Sequence, residues 1–170
     1  MKKFLLILFF FLNFNNVNAE TKIAYIDINY ILKNSIVGKS IFEYISSIEQ
    51  KKKSEFNLIE KKLSESEKDI ISKKNIIDEN DFNKQVDSLK SEIKEYNNEK
   101  NKFIDEINKE KMKYTKIVLK TLNQIISKYV EENSITIVFS KKDVVVAKKN
   151  LDITESVMSL LNDNLKEIEF

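Results

Sequence analysis

DFNKQVDSLKSEIKEYNNEKNKFIDEINKEKMKYTKI, residues 81–117, decides how this chain folds. Phe82, Val86, Leu89, Ile93, Tyr96, Lys100, Phe103, Ile107, Glu110, Tyr114 and Ile117 recur alternately four and three residues apart, and nine of these eleven positions are apolar. That spacing lines one face of an α-helix. Gly and Pro, the residues most hostile to a helix interior, are absent from all of residues 39–130. The pattern predicts a helix over about residues 81–130.

A second helix is predicted over residues 39–77, with Ile41, Ile45, Ile48, Phe56, Ile59, Leu63, Ile70 and Ile77 inward. Sevenfold spacing from Phe56 to Ile77, with an eleven-residue step before it, describes a coiled-coil seam whose winding changes locally. Folding the chain near Asp78-Glu79-Asn80-Asp81 sets Ile45 opposite Tyr114, Phe56 opposite Phe103, Leu63 opposite Tyr96, Ile70 opposite Leu89 and Ile77 opposite Phe82. The two apolar rows meet, so an antiparallel hairpin is expected. At about 1.5 Å per residue it is roughly 60 Å long. Three layers break the seam: Lys52 against Ile107, Ile59 against Lys100, and Ser66 against Ile93. At the tip, Asn80 is expected to take the left-handed conformation and Asp81 to cap the returning helix.

Short β-type runs flank the hairpin. Lys22-Ile23-Ala24-Tyr25-Ile26-Asp27-Ile28 reads as one strand, apolar on both faces and so central or covered. Residues 29–37 suit a short helix, after which Gly38 permits a change of direction. Ile135-Thr136-Ile137-Val138-Phe139 reads as a second strand. Ser140-Lys141-Lys142-Asp143 reads as a turn and Val144-Val145-Val146-Ala147 as a third strand, which together make a β-hairpin. Asp152-Ile153-Thr154-Glu155 resembles a capping box. It opens a last helix with Ile153, Val157, Leu160, Leu161, Leu165 and Ile168 on one face. The fold class expected is therefore α+β: a β-rich body from residues 20–38 and 131–170, and an α-helical hairpin arm from residues 39–130 with its tip near 78–81. A body of about 70 residues has a thin core for one chain, which argues for an oligomer.

Residues 1–19 carry Lys2 and Lys3, an apolar run over 4–14, and a polar end with Val17 and Ala19. This is the layout of a cleavable secretory signal, with the cut expected between Ala19 and Glu20. The apolar run is too short to span a bilayer, which needs about 20 residues. Beyond Ala19 the chain holds 27 lysines and 27 acids, so it is close to neutral. It has no Arg, and nucleic acid is not an expected partner. The absence of His and Cys removes Ser–His and Cys–His nucleophiles and the common zinc ligand sets. A single Gly cannot build a phosphate loop. No enzymatic activity and no cofactor are expected.

Three places resemble the Skp (OmpH-like) family of periplasmic chaperones. They are Lys22-Ile23-Ala24-Tyr25-Ile26-Asp27 with Ile31-Leu32 and Gly38-Lys39, the charged helical hairpin of matching length, and the run from Ile135 through Val144-Val145-Val146-Ala147 to Leu151-Asp152-Ile153-Thr154. The resemblance implies a homotrimer whose strands share a barrel-like body. It also implies three arms around a cavity and an ATP-independent holdase for unfolded outer-membrane proteins. Ile23, Tyr25, Ile137, Phe139, Val144 and Val146 are then expected to line the body and its subunit contacts. Phe42, Tyr44, Leu58, Ile71, Ile76 and Ile104, off the hairpin seam, become candidates for client contact. The family's arms are often basic and are associated with anionic lipid or lipopolysaccharide. Residues 39–113 hold 17 lysines and 17 acids, so only weak contact of that kind is expected. The competing reading is a non-enzymatic periplasmic coiled-coil spacer or adaptor. Efflux adaptors, however, insert such hairpins into a Gly-rich lipoyl-like β domain, which a chain with one Gly does not contain.

Overall fold

The computed structural model describes residues 21–170, so the expected signal segment and the cut between Ala19 and Glu20 lie outside the described residues. The elements in order are β1 (Ile23–Ile26), α1 (Ile28–Asn34), α2 (Ile36–Lys73), α3 (Glu79–Glu132), β2 (Ile137–Ser140) and α4 (Thr154–Asn164). Single 3₁₀ turns at Lys141–Asp143 and Lys149–Leu151 join β2 to α4. The fold is mostly helical, with a long helical hairpin and one small strand pair.

β1 and β2 run parallel, in the register Ile23 to Ile137, Ala24 to Val138, Tyr25 to Phe139 and Ile26 to Ser140. Parallel strands require a crossover, and the entire arm, α2 plus α3, lies within this one. On the other edge of β1, Tyr25 bridges to Asp152, and the Ile153 N–H donates to the Tyr25 carbonyl at 3.0 Å. β1 is therefore central, in agreement with its apolar pattern on both faces.

One face of this small sheet is covered. Ala24 and Ile26 join Ile31, Val37, Val118, Leu122, Ile135, Ile153, Val157 and Leu161 in a continuous buried cluster drawn from every helix. α1 starts on Asp27, whose carboxylate accepts the Tyr30 N–H at 2.9 Å. Ser35 is fully buried, and its hydroxyl accepts the Gly38 N–H at 3.2 Å to cap α2. Only Ser35 separates the two helices.

Gly38 therefore does something other than turn the chain. It lies inside α2 without a positive φ. A Cβ there would stand 2.0 Å from the Leu32 carbonyl oxygen, so the residue is small because α1 ends against it.

Three further expectations are corrected. First, residues 144–147 form no strand. Past β2 the chain winds into a 3₁₀ turn, where the Val144 N–H donates to the Lys141 carbonyl at 3.1 Å. Lys141 reaches Asp152 at 3.3 Å and Asp27 at 4.0 Å. The stretch after the turn pairs with no strand, and Val145 is left 98% exposed. Second, the tip lies at residues 74–78. Asp78, not Asp81, caps α3 by accepting the N–H groups of Asn80 at 2.8 Å and Asp81 at 3.0 Å. A carboxylate with two backbone donors, followed by Glu79 and Asp81 in the first turn, suits the positive end of a helix dipole. Asn80 is helical; among the described residues only Ser134 has a positive φ, at 53°. Third, α4 begins at Thr154, not Asp152. Ile153, which has no capping side chain, takes the N-cap position, and Asp152 just before it accepts the Thr154 N–H at 3.0 Å. Leu165 and Ile168 fall beyond the end of α4 yet still pack against the core.

Candidate functional site

Two surfaces stand out: the arm and the uncovered face of the sheet.

The arm is held by a seam of large side chains. Ile45, Phe56, Ile70, Tyr96, Ile107 and Tyr114 are buried, while Leu63, Leu89, Phe103, Ile77 and Phe82 are half-buried. Phe56 meets Phe103 edge-to-face at 5.8 Å between ring centroids, as the expected pairing requires, and Tyr96 at 5.7 Å. Rings in this geometry gain attraction beyond the area they bury.

The polar layers are cross-linked. The Lys52 ammonium donates to Glu99 at 2.7 Å and to Glu55 at 3.0 Å, while standing 5.0 Å from the Phe56 ring. Lys100 donates to Glu60 and to the Tyr96 hydroxyl, each at 3.1 Å, and lies 5.3 Å from the Tyr96 ring. Tyr96 in turn donates to Glu60. Lys111 and Glu49 pair across the hairpin at 2.7 Å. Each lysine lays its stem along the seam and carries its charge out to water. The hydrogen bond to Glu99 raises the Lys52 pKa, with Glu55 adding to it. The Tyr96 hydroxyl, then Lys100, lowers the Glu60 carboxyl. Only the Ser66 layer stays open, with Ile93 exposed.

Five of the six residues singled out for client contact lie on the outer surface: Phe42, Leu58, Ile71, Ile76 and Ile104. Ile76, at the tip, is 79% exposed. Tyr44 is the exception. It lies edge-to-face with Tyr114 at 5.9 Å and stacks on Phe170 at 4.2 Å, so its ring is used within the chain. No sequence signal pointed to this pairing, because Phe170 belongs to no periodic run.

On the uncovered face of the sheet, Ile23 stands beside Ile137 and Tyr25 beside Phe139. Ile23, Ile137 and Phe139 are exposed, Phe139 by 47%, and Tyr25 is half-buried. Val146 is exposed and Val144 half-buried in the irregular stretch that follows. An apolar row of this kind is unusual on the surface of a lone chain.

Among the described residues, no helix is long and apolar enough to cross a membrane. Likewise, no cluster of carboxylates among them is placed to hold a metal ion.

An elongated two-helix arm on a half-covered parallel strand pair defines a class of non-globular, arm-bearing proteins. Residues 22–161 match the family described as outer membrane protein (OmpH-like). The chain belongs to that family. Its fold is similar to the crystal structure of a candidate outer membrane chaperone (OmpH-like) from Caulobacter crescentus CB15. The TM-score is 0.76 at 20% identity, over 89% of this chain and 90% of the other. No curated protein matches the sequence.

Proposed function

We propose that this protein is an ATP-independent periplasmic holdase. Three copies complete one body, and their arms surround an unfolded outer-membrane β-barrel protein before its insertion. Membership of the OmpH-like family supports a chaperone role. The observation that carries the specific reading is the pairing of two unsatisfied apolar surfaces. One is the face of Ile23, Ile137 and Phe139, followed in the chain by the exposed Val145 and Val146. The other is the scatter of single exposed apolar residues along the arms.

The first surface suits other copies of the chain. A free strand edge and an apolar face are both removed from water when strands of neighbouring subunits continue the sheet. The body then comprises residues 20–38 and 131–170, and the arm residues 39–130. The second surface suits a client that must stay mobile. Phe42, Leu58, Ile71, Ile76 and Ile104 each offer one weak contact, and three arms together make the sum tight. A client that folds into a membrane buries the apolar surface the arms were holding, so release needs no nucleotide. With 17 lysines against 17 acids in residues 39–113, contact with anionic lipid or lipopolysaccharide is weak. The protein reaches the periplasm through a signal segment removed after Ala19.

The purified protein is expected to suppress aggregation of a urea-diluted outer-membrane β-barrel without nucleotide. A chain that leaves aggregation unchanged is the spacer or adaptor instead. Ile137→Asp puts a carboxylate on the shared face and is expected to release monomers with intact α-helix. An unchanged native mass refutes the assignment of that face.

A further inference from the structure

Tyr44 of α2 and Tyr114 of α3 form an aromatic slot at the root of the arm. Their rings are perpendicular, at 88° and 5.9 Å. Tyr114 is only 1% exposed, and burial pushes its phenol pKa up. The Lys113 ammonium stands 4.8 Å from the Tyr114 ring. Into this slot the chain inserts Phe170, stacked on Tyr44 at 4.2 Å and 12° and edge-on to Tyr114 at 5.2 Å and 76°.

The occupant is weakly fixed. Residues 165–170 lie beyond α4 in neither helix nor strand, and Phe170 is still 49% exposed. They also lie beyond residues 22–161, the part that matches the family. Their anchors are the Leu165 N–H, which donates to the Leu161 carbonyl at 2.8 Å, and apolar contacts of Leu165 and Ile168 with the body. An aromatic side chain on an irregular segment is chemically what an unfolded polypeptide presents. At the same level of the arm, a groove of about 390 Å³ opens among α1, α2 and α3, lined by Leu32, Ile41, Phe42 and Ile45 together with charged residues such as Lys39 and Lys111. A client residue next to a seated ring would find apolar surface close by.

We propose that the Tyr44–Tyr114 slot binds an aromatic side chain of an unfolded polypeptide, and that Phe170 is a built-in competitor for it. The inference rests on the holdase reading for its biological meaning, but the slot can be tested without a client. Seating of Phe170 lowers the fraction of open slots, and the apparent affinity for an incoming ring falls in proportion. Phe170→Ala opens the slot without touching its walls.

The probe is an acetylated hexapeptide with the sequence of residues 165–170, its phenylalanine fluorinated and read by ¹⁹F NMR on the full-length protein. Phe170→Ala is expected to bind it about twofold to tenfold more tightly than the wild type, the range that ring stacking supports. Adding Tyr44→Leu, which keeps apolar volume but removes the stack, is expected to abolish the gain, with circular dichroism unchanged. A peptide with leucine in place of phenylalanine is expected to show no gain. Equal binding by wild type and Phe170→Ala overturns the proposal. So does a gain that survives Tyr44→Leu, or a drop in melting temperature for Phe170→Ala with no change in binding, which marks a purely structural contact. Suppression of β-barrel aggregation by the wild type is measured in parallel. Its failure sinks the holdase reading, whereas the peptide titration judges the slot alone.

Discussion

The arm and the body bury apolar surface in opposite ways. In the body, residues from all four helices and β1 converge, and Ile31, Val37, Val118, Leu122, Val157 and Leu161 are wholly buried. In the arm each layer is two side chains deep and open on both flanks. Even its best-packed stretch, where Phe56 meets Phe103 of its own layer and Tyr96 of the next, is finished by a lysine laid over the Phe56 ring. The body should unfold as a unit, and the arm should open layer by layer.

The largest effect should come from the body. Leu122→Ala leaves a hole in the buried cluster and is expected to cost about 2–5 kcal/mol, read by urea denaturation. Gly38→Ala comes next. The added methyl meets the Leu32 carbonyl oxygen, which is backbone and cannot rotate aside, so α1 must shift against α2. A loss of about 1–3 kcal/mol is expected. If Gly38 served only as a flexible turn, Ala would be harmless, and a stability equal to wild type would contradict the close approach. Phe56→Ala should cost less than a fully enclosed Phe, about 1–2 kcal/mol, because its layer is open on two sides. Hydrogen exchange should quicken over the middle of α2 and α3 and leave the body unchanged. Equal quickening in both regions would erase the distinction drawn here.

The smallest effect concerns the ion node between β1 and α4. Burial opposes ionisation of Asp152, but the Thr154 hydroxyl and N–H together with Lys141 outweigh it, and the carboxyl titrates below its usual 3.8. A carboxyl lowered in the folded state adds stability that is complete above its unfolded value and is lost as pH falls through the folded one. Asp152→Asn should therefore lower the melting temperature slightly at pH 7, with the gap to wild type closing as pH falls below the usual aspartate range. A gap that does not change with pH would assign Asp152 to hydrogen bonding alone.

The same contrast governs what could be read from the sequence. The arm was legible because a helical seam repeats its message: eleven positions from Phe82 to Ile117 fix one face, and pairing the rows put Phe56 against Phe103. Its ends shifted by a few residues because Asp78 found two backbone donors and claimed the cap. The body was legible as elements but less so as contacts. Val144-Val145-Val146-Ala147 has the β-branched residues of a strand, yet a strand also needs a neighbour, and one chain supplies none. Gly38 looked like a hinge because residue type alone cannot reveal a carbonyl 2.0 Å from an absent Cβ. Of the client-contact set, only Tyr44 has its ring engaged within the chain, and this was illegible for a similar reason: its partner Phe170 is 126 positions away and outside every pattern.

Native mass spectrometry of the protein with one unfolded porin tests the central claim most directly. The account predicts a complex of three subunits and one client that forms without nucleotide. A monomer at micromolar concentration, or a trimer that leaves the porin unbound, would contradict it.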